Sequence, residues 1–563
     1  MSITLQKYLI ILLFFSLNFG LIYTFILFNS VWYAYLCILI LSSTLNASSS
    51  ILNIAFKIGN PEKNTYRTEP KNYIYVVPCY NESEEELCNS LNSLVEQHTV
   101  SGDKRLIVII CDGRVKCVGN PTSTDLILKN ILNIDGLGFY YEYTTWTGEK
   151  NLVRKYTTEY TYHEITVPVL LIIKENNIGK RDSLVLIRHV CYLYNTQEVP
   201  SRDADFMSRL TLDLETIYTD KIDYIIGIDA DTLFDYNCSY ELIQGINSDD
   251  TIHGCVGYVD IYKGMNFFSP FVLYQYAEYT YAQCLRRQAQ SNITHKVSCL
   301  SGCNQILRIS KETCGEKILN VFNYYPNEND TILTQIRSYA SEDRNHVCNM
   351  LSLYPYVKTT QTLKALCYTI VPTSSSVFLS QRRRWNLGAN TNDFLLVSLP
   401  GINIFERILA AVNVLTFTVT PFVFVATVYF IIAIVTNPTL LMLYLSIILF
   451  FPLLYSFLIP ICIRYLSFKD SMYYYFSFIV FLSFSGIVSL ICYTYALLNM
   501  DSITWGKTRS IMKEEIHSKT DSNCETINIA EDGFIYDNEF LTVLNETVLN
   551  ETVLYPDNII SLV

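Results

Sequence analysis

The polar chemistry of this chain is gathered in short clusters. Asp229 and Asp231 stand two apart at the end of the apolar run Tyr224–Ile228. Two carboxylates at that spacing can hold a divalent cation beside a diphosphate, and hard oxygen ligands suit Mg²⁺ or Mn²⁺. Such a cation would neutralise the leaving group of a nucleotide sugar. Asp112 closes another apolar run and can reach a uracil or ribose edge. Ser341-Glu342-Asp343-Arg344 offers a general base for an acceptor hydroxyl, with Asp343 flanked by a cation that would keep it ionised. Gln381-Arg382-Arg383-Arg384-Trp385 offers an arginine to a diphosphate and an indole face to a sugar ring.

Each cluster also has a plainer reading. A lone Asp after a strand is a turn residue or helix cap. Gly179-Lys180-Arg181-Asp182-Ser183 reads as a charged helix start, and the Glu-Asp-Arg triplet as a salt-bridged surface group. An arginine run with a tryptophan beside a membrane block fits the positive-inside rule and an interfacial anchor. What argues for chemistry is the order of the clusters and the elements that carry them. Tyr73–Val77, Leu106–Ile110, Val169–Ile173 and Tyr224–Ile228 are apolar runs of strand length, and each leads into polar residues. Runs buried on both faces suit a parallel sheet covered by helices. In open α/β sheets the ligand sits beyond the carboxyl ends of the strands, so the clusters are expected to meet in one crevice.

Around this α/β stretch the composition changes. Half of the 563 residues are hydrophobic and only 17 % are charged, against a usual ~25 %. Tyr8 to Phe56 holds no charge, a run of 49 residues. That is enough for two spans of ~20 residues, with Asn29–Ser30 as the turn. A cleaved signal peptide would have a shorter apolar core and a small-residue cleavage site. Ile408–Ile463, broken at Asn437–Pro438, reads as two more spans, and Ser471–Met500 as a third. Arg464 and Lys469 put the intervening connection in the cytosol. Counting spans from there leaves the residues after Met500 outside, where Asn545 and Asn550 stand in glycosylation sequons. The net charge of −12 argues against a nucleic-acid partner. The 17 cysteines form neither a disulfide framework nor a zinc-ribbon spacing.

The ordered set CYNE (79–82), CDG (111–113), GKRDS (179–183), DAD (229–231), SGC (301–303), EDR (342–344), QRRRW (381–385) and TWGKTR (504–509) resembles that of chitin synthases, a processive branch of glycosyltransferase family 2. The details are most similar to the fungal type with a WGNTR ending. The resemblance implies a GT-A-like α/β domain, with a parallel-rich sheet and helices on both faces, joined to a helical transmembrane bundle. It implies UDP-N-acetylglucosamine as donor and inverting, processive transfer to a β-1,4 chitin chain that crosses the membrane. Tyr80, Glu82, Asp112, Lys180 and Asp229 would bind the donor, and Asp229 and Asp231 the metal. Asp343 would be the base. Gly302, Cys303, Gln381, Arg384 and Trp385 would hold acceptor and diphosphate. A homodimer in the plasma membrane, in contact with lipid and with its catalytic domain cytosolic, is also implied. Ser301 replaces the family's Pro in PGC, and Lys507 replaces its Asn. Hyaluronan or cellulose synthesis is the nearest alternative. A transporter or receptor with an inactive sugar domain is a remoter one, which the intact motif set and the few spans oppose. The expected organisation is two N-terminal spans (1–57), the α/β domain (58–370), interfacial helices with QRRRW (371–404), a bundle of about three spans (405–500), and the WGKTR motif with an acidic tail (501–563).

Overall fold

The computed structural model describes residues 2–28, 35–59, 66–116, 122–136, 138–200, 202–262, 264–327, 329–399 and 401–502. The Asn29–Ser30 turn, the TWGKTR motif and both tail sequons lie outside them.

Ten strands form one sheet: β1 (Asn72–Cys79), β2 (Lys104–Cys111), β3 (Phe139–Thr144), β4 (Lys150–Tyr162), β5 (Ile165–Lys174), β6 (Tyr224–Gly227), β7 (Leu233–Phe234), β8 (Ile252–Ile261), β9 (Gln305–Arg308) and β10 (Lys358–Thr369). Their order is β3-β4-β5-β2-β1-β6-β9-β8-β10-β7. The four apolar runs are the four central neighbours β5-β2-β1-β6, and all three of their pairings are parallel. Antiparallel β3-β4 and β9 flank this centre, so the whole sheet is mixed.

Alternation along β1 explains why both faces need cover. Tyr73, Tyr75 and Val77 pack on Leu87, Leu91 and Leu94 of the Glu84–Val95 helix and on Leu242 and Ile243 of Cys238–Ile246. Ile74 and Val76 pack on Leu184, Ile187 and Val190 of the Lys180–Thr196 helix and on Leu210 and Leu214 of Ala204–Ile217. Each such aliphatic side chain, fully buried, contributes about 1.5–3 kcal/mol. The register Tyr73↔Arg105 and Tyr73↔Tyr224 aligns the carboxyl ends of β2, β1 and β6. The clusters at 79–82, 112 and 229–231 therefore start from one edge of the sheet.

Among the described residues three helices are long and apolar enough to cross a membrane: Ile3–Leu27, Leu440–Ile463 and Phe468–Leu498. A fourth span is counted if Ile404–Thr418 and Thr420–Thr436 are one, but these meet at a bend of 81°. Sequence reading takes the uncharged stretch from Ile408 to the Asn437–Pro438 break as one span. Pro421 in the first turn of the second segment forces the break, because it cannot donate to a continuing helix. Asn18 of the first helix serves the broken backbone. Its Nδ2 donates to Thr418 O (2.8 Å) and its Oδ1 accepts from Phe422 N (3.1 Å). Unpaired peptide groups are costly among lipid, so such a break needs this kind of partner.

A helix at Leu36–Gly59 returns the chain toward the α/β domain and packs on Leu440–Leu458. Asn53 Nδ2 donates to Leu285 O (3.1 Å). Arg464 is buried against the α/β domain, ion-paired with Asp260 at 3.1 Å, so the connection it occupies lies on that domain's side. Met500 is buried with Ile332, Ile336 and Leu387, and Asp501 pairs with Lys7 at 2.8 Å. The neighbouring Gln6 Oε1 accepts from Ile332 N (2.9 Å). The end of the last helix is therefore held against the α/β domain and the start of the first helix.

Candidate active site

The loop after β1 is tied by its own carboxylate. Glu82 accepts from the amides of Tyr80 (2.6 Å) and Asn81 (3.1 Å). Tyr80 is half-buried, and burial pushes its phenol pKa up, with a hydrogen bond from Asn177 opposing. Asp112, buried after β2, is tied more tightly. Its Oδ2 accepts from Gly179 N (2.7 Å), and its Oδ1 from Ile178 N (3.2 Å) and Lys174 Nζ (3.1 Å). Both oxygens thus hold the turn that leads to Lys180. Lys174, fully buried at the end of β5, also pairs with Asp182 at 2.7 Å. Asp182 in turn accepts from Tyr143 Oη and Trp146 N. Lys174 is a site residue that sequence reading misses, and Asp182 is one of its anchors rather than a helix cap.

The centre is assembled around Lys180, the first residue of its helix. Its ammonium donates to Asp229 Oδ1 and lies 3.7 Å from Glu342 Oε1. Burial works to lower its pKa, but Asp229, Glu342 and Asp343 outweigh it and hold the ammonium charged. Gly302 lies against the same group. A Cβ there would stand 3.1 Å from Lys180 Nζ, so the ammonium would have to give by a few tenths of an ångström, and 3.9 Å from Asp343 Cβ, an ordinary contact. Gly302 N donates to Asp343 Oδ2 (3.3 Å). Burial and then Glu342 raise the Asp343 pKa; the amides of Arg344 and Gly302 and the Lys180 charge oppose the rise. The flanking cation expected from sequence is not the one beside Asp343. Arg344 turns away to Asp393 (3.1 Å), and Lys180 supplies the opposing charge.

The QRRRW residues lie on one helix, Ser375–Ser398. Their roles divide by facing. Arg382 is buried, ion-paired with Glu278, and sits 4.3 Å from the Trp385 ring centroid. Its Nη1 donates to Gln381 Oε1 (2.6 Å). Trp385 is 40 % exposed and leans on Tyr279 (5.8 Å). Arg384 faces the centre. Burial lowers its pKa, and Glu342, Asp229 and Asp343 pull it back up. Arg383 and Arg384 line an open cleft of about 290 Å³ with Ile336, Tyr339, Met500 and Ser502. The close approach of this helix to the Ser341–Glu342 loop needs Gly388. A Cβ there would lie 2.6 Å from Ser341 Cβ.

The structure thus brings together Lys180, Asp229, Asp343 and Gly302, with Arg384 in their field and Asp112 one turn away. Cys303 follows Gly302 and packs partly buried on the sheet core. Trp385 and Gln381 touch Arg382 and Tyr279, one helical turn along. Among the described residues no three His, Cys, Asp or Glu side chains form a metal cluster. Asp229 and Asp231 still fit Mg²⁺ or Mn²⁺. Mg²⁺ is ordinarily held by one or two carboxylates, substrate phosphates and water. One oxygen of Asp229 is already engaged by Lys180.

Residues 47–532 match the family model described as chitin synthase. Chitin synthase 8 of Gibberella zeae is 32 % identical over 532 residues, covering 91 % of this chain and 78 % of that protein. Chitin synthase 8 of Verticillium dahliae is 34 % identical, covering 77 % and 75 %. Among solved structures, a Pyrobaculum calidifontis mannosyltransferase in complex with GDP-Man and Mn²⁺ is 10 % identical, covers 79 % of this chain and 98 % of its own, and gives a TM-score of 0.38. With the family pattern matched along most of its length at this level of identity, the chain belongs to the chitin synthase family of glycosyltransferases.

Proposed function

We propose that the protein transfers N-acetylglucosamine from UDP-N-acetylglucosamine, with inversion, to the end of a growing β-1,4 chain and passes the product through the apolar bundle. The observation that carries this reading is the contact of Lys180 with Asp229, Glu342 and Gly302, whose amide donates to Asp343. A cation that serves a departing diphosphate and a carboxylate that serves an incoming hydroxyl must lie on either side of one anomeric carbon. Asp343 takes the proton from the acceptor hydroxyl. The freed oxygen bonds to C1 of the donor sugar, and the bond from C1 to the diphosphate breaks. Lys180 and Arg384 take up charge on the departing UDP. The raised pKa of Asp343 suits a base, since basicity grows with it.

Asp229 and Asp231 would hold the divalent ion, which would neutralise diphosphate charge. Tyr80, Glu82 and the Asp112-held turn shape the nucleotide end, and Gln381, Trp385 and the Gly302–Cys303 loop the acceptor end. Nucleotide sugars are cytosolic, so the α/β domain faces the cytosol, in the plasma membrane. The test is a donor screen with purified protein. Chitinase-sensitive polymer from UDP-N-acetylglucosamine, and none from UDP-glucose, UDP-glucuronate or GDP-mannose, is expected. Polymer from UDP-glucose alone would overturn the donor assignment.

A further inference from the structure

A small cleft, open to solvent, lies away from the site, where the Leu36–Gly59 helix, the π-helical turn Ala282–Arg287 and the Ile404–Thr418 helix meet. Its apolar wall includes Leu45, Ile293, Phe405, Leu409 and Val412. Its polar floor is Arg286. The guanidinium donates to Asn46 Oδ1 (3.2 Å), Asn413 Oδ1 (3.5 Å) and Ser42 Oγ (3.5 Å). These partners are neutral. Among the described residues Arg286 has no ion pair, and no carboxylate lines the cleft. Asp393, bridged to Arg286 through Asn413, acts on it electrostatically, but with five N–H donors the guanidinium keeps spare donors facing the apolar wall.

The setting argues for lipid. Ile404, Phe405, Ile408 and Leu415 are exposed on one helix. Glu406 on the same helix turns inward to Gln290 (2.9 Å). Its 81° bend leads into an apolar segment. This is the form of a helix lying in the head-group layer before the chain dips into the membrane. The floor is also pre-formed. Asn413 Nδ2 donates to Asp393 Oδ2 (3.1 Å), and Asp393 is itself ion-paired with Arg344. Basic pockets between membrane helices bind phospholipid head groups in this way.

We propose that this cleft binds one anionic phospholipid, its phosphodiester on Arg286 and an acyl chain along Leu409 and Phe405. A zwitterionic lipid is disfavoured because the cleft offers its ammonium no carboxylate. The test uses the full chain in nanodiscs of phosphatidylcholine with a minority of phosphatidylserine, read by native mass spectrometry for retained lipid. Wild type is expected to retain phosphatidylserine. Arg286→Gln should hold it about tenfold more weakly, the loss expected for one charge-assisted hydrogen bond. Leu409→Trp, which fills the wall and leaves the charge, should also lose it, and Arg286→Lys should fall between. The unfolding midpoint of each variant in pure phosphatidylcholine identifies any that misfold. Equal retention by all four proteins overturns the proposal. Displacement of the retained lipid by inorganic phosphate also overturns it, since the cleft would then bind a free anion.

Discussion

Replacing Lys174 by Met removes a cation that no solvent can substitute. The ammonium is fully buried between Asp112 (3.1 Å) and Asp182 (2.7 Å). Breaking a buried ion pair costs about 3–5 kcal/mol, because a charge is left uncompensated. Here each carboxylate keeps two other donors: Ile178 N and Gly179 N for Asp112, Tyr143 Oη and Trp146 N for Asp182. The loss should therefore fall near the lower limit, about 3 kcal/mol. At ~1.4 kcal/mol per tenfold that is about a hundredfold faster unfolding, provided the contact forms after the folding transition state. Without the ammonium the two carboxylates face each other as like charges, so taking up a proton relieves the repulsion and the variant loses stability as pH rises. The assay is the rate at which purified protein in detergent loses UDP binding at elevated temperature, measured at several pH values. Lys174→Met combined with Asp182→Asn should recover part of the loss, since replacing both partners is less costly than stranding one. An inactivation rate equal to wild type, with no added pH dependence, would refute the reasoning.

The remaining predictions concern the reaction. Gly388→Leu should abolish polymer synthesis, because the new side chain drives the QRRRW helix off Ser341, where a Cβ alone would already be 2.6 Å away; UDP affinity, set by loops on the far side of Lys180, should change less than about threefold, as titration can measure. The raised pKa of Asp343 places the acidic limb of the kcat profile above the ordinary carboxylate range; Lys180→Met should move the limb still higher, since Lys180 opposes the rise, and a lower limb would contradict this. The same shift contributes to stability at low pH, a contribution lost as pH rises from the ordinary carboxylate pKa through the raised one. Excess chelator should stop sugar incorporation and added Mn²⁺ or Mg²⁺ should restore it; unchanged turnover would remove the metal role from Asp229 and Asp231.

The parallel centre of the sheet is legible because strands buried on both faces hold about five apolar residues in a row, and all four such runs become neighbours. Asp112, Lys180, Asp229 and Asp343 are legible for the same reason: each stands just after an apolar run or in a charged cluster. Lys174 is not. A lysine at the end of a strand reads as solvated, and its partner Asp112 is 62 residues away. Nor can three consecutive arginines be told apart by sequence. The helix turns about 100° per residue, and Glu278 and Gln275 on a neighbouring helix hold Arg382 while Arg384 faces the crevice. Arg344 is misread because its neighbour in sequence is a carboxylate, whereas Asp393 on the facing helix offers the better geometry. The 81° bend hides in an unbroken apolar run, since its partner Asn18 belongs to the first helix.

Asp343→Asn tests the central claim most directly. The amide keeps the size of the side chain and its place beside Gly302 but cannot take a proton from a hydroxyl. Incorporation of labelled sugar from UDP-N-acetylglucosamine into chitinase-sensitive polymer, measured for wild type and variant together with UDP affinity, should fall by about 10²–10⁴ while UDP still binds. Turnover equal to wild type would contradict the account.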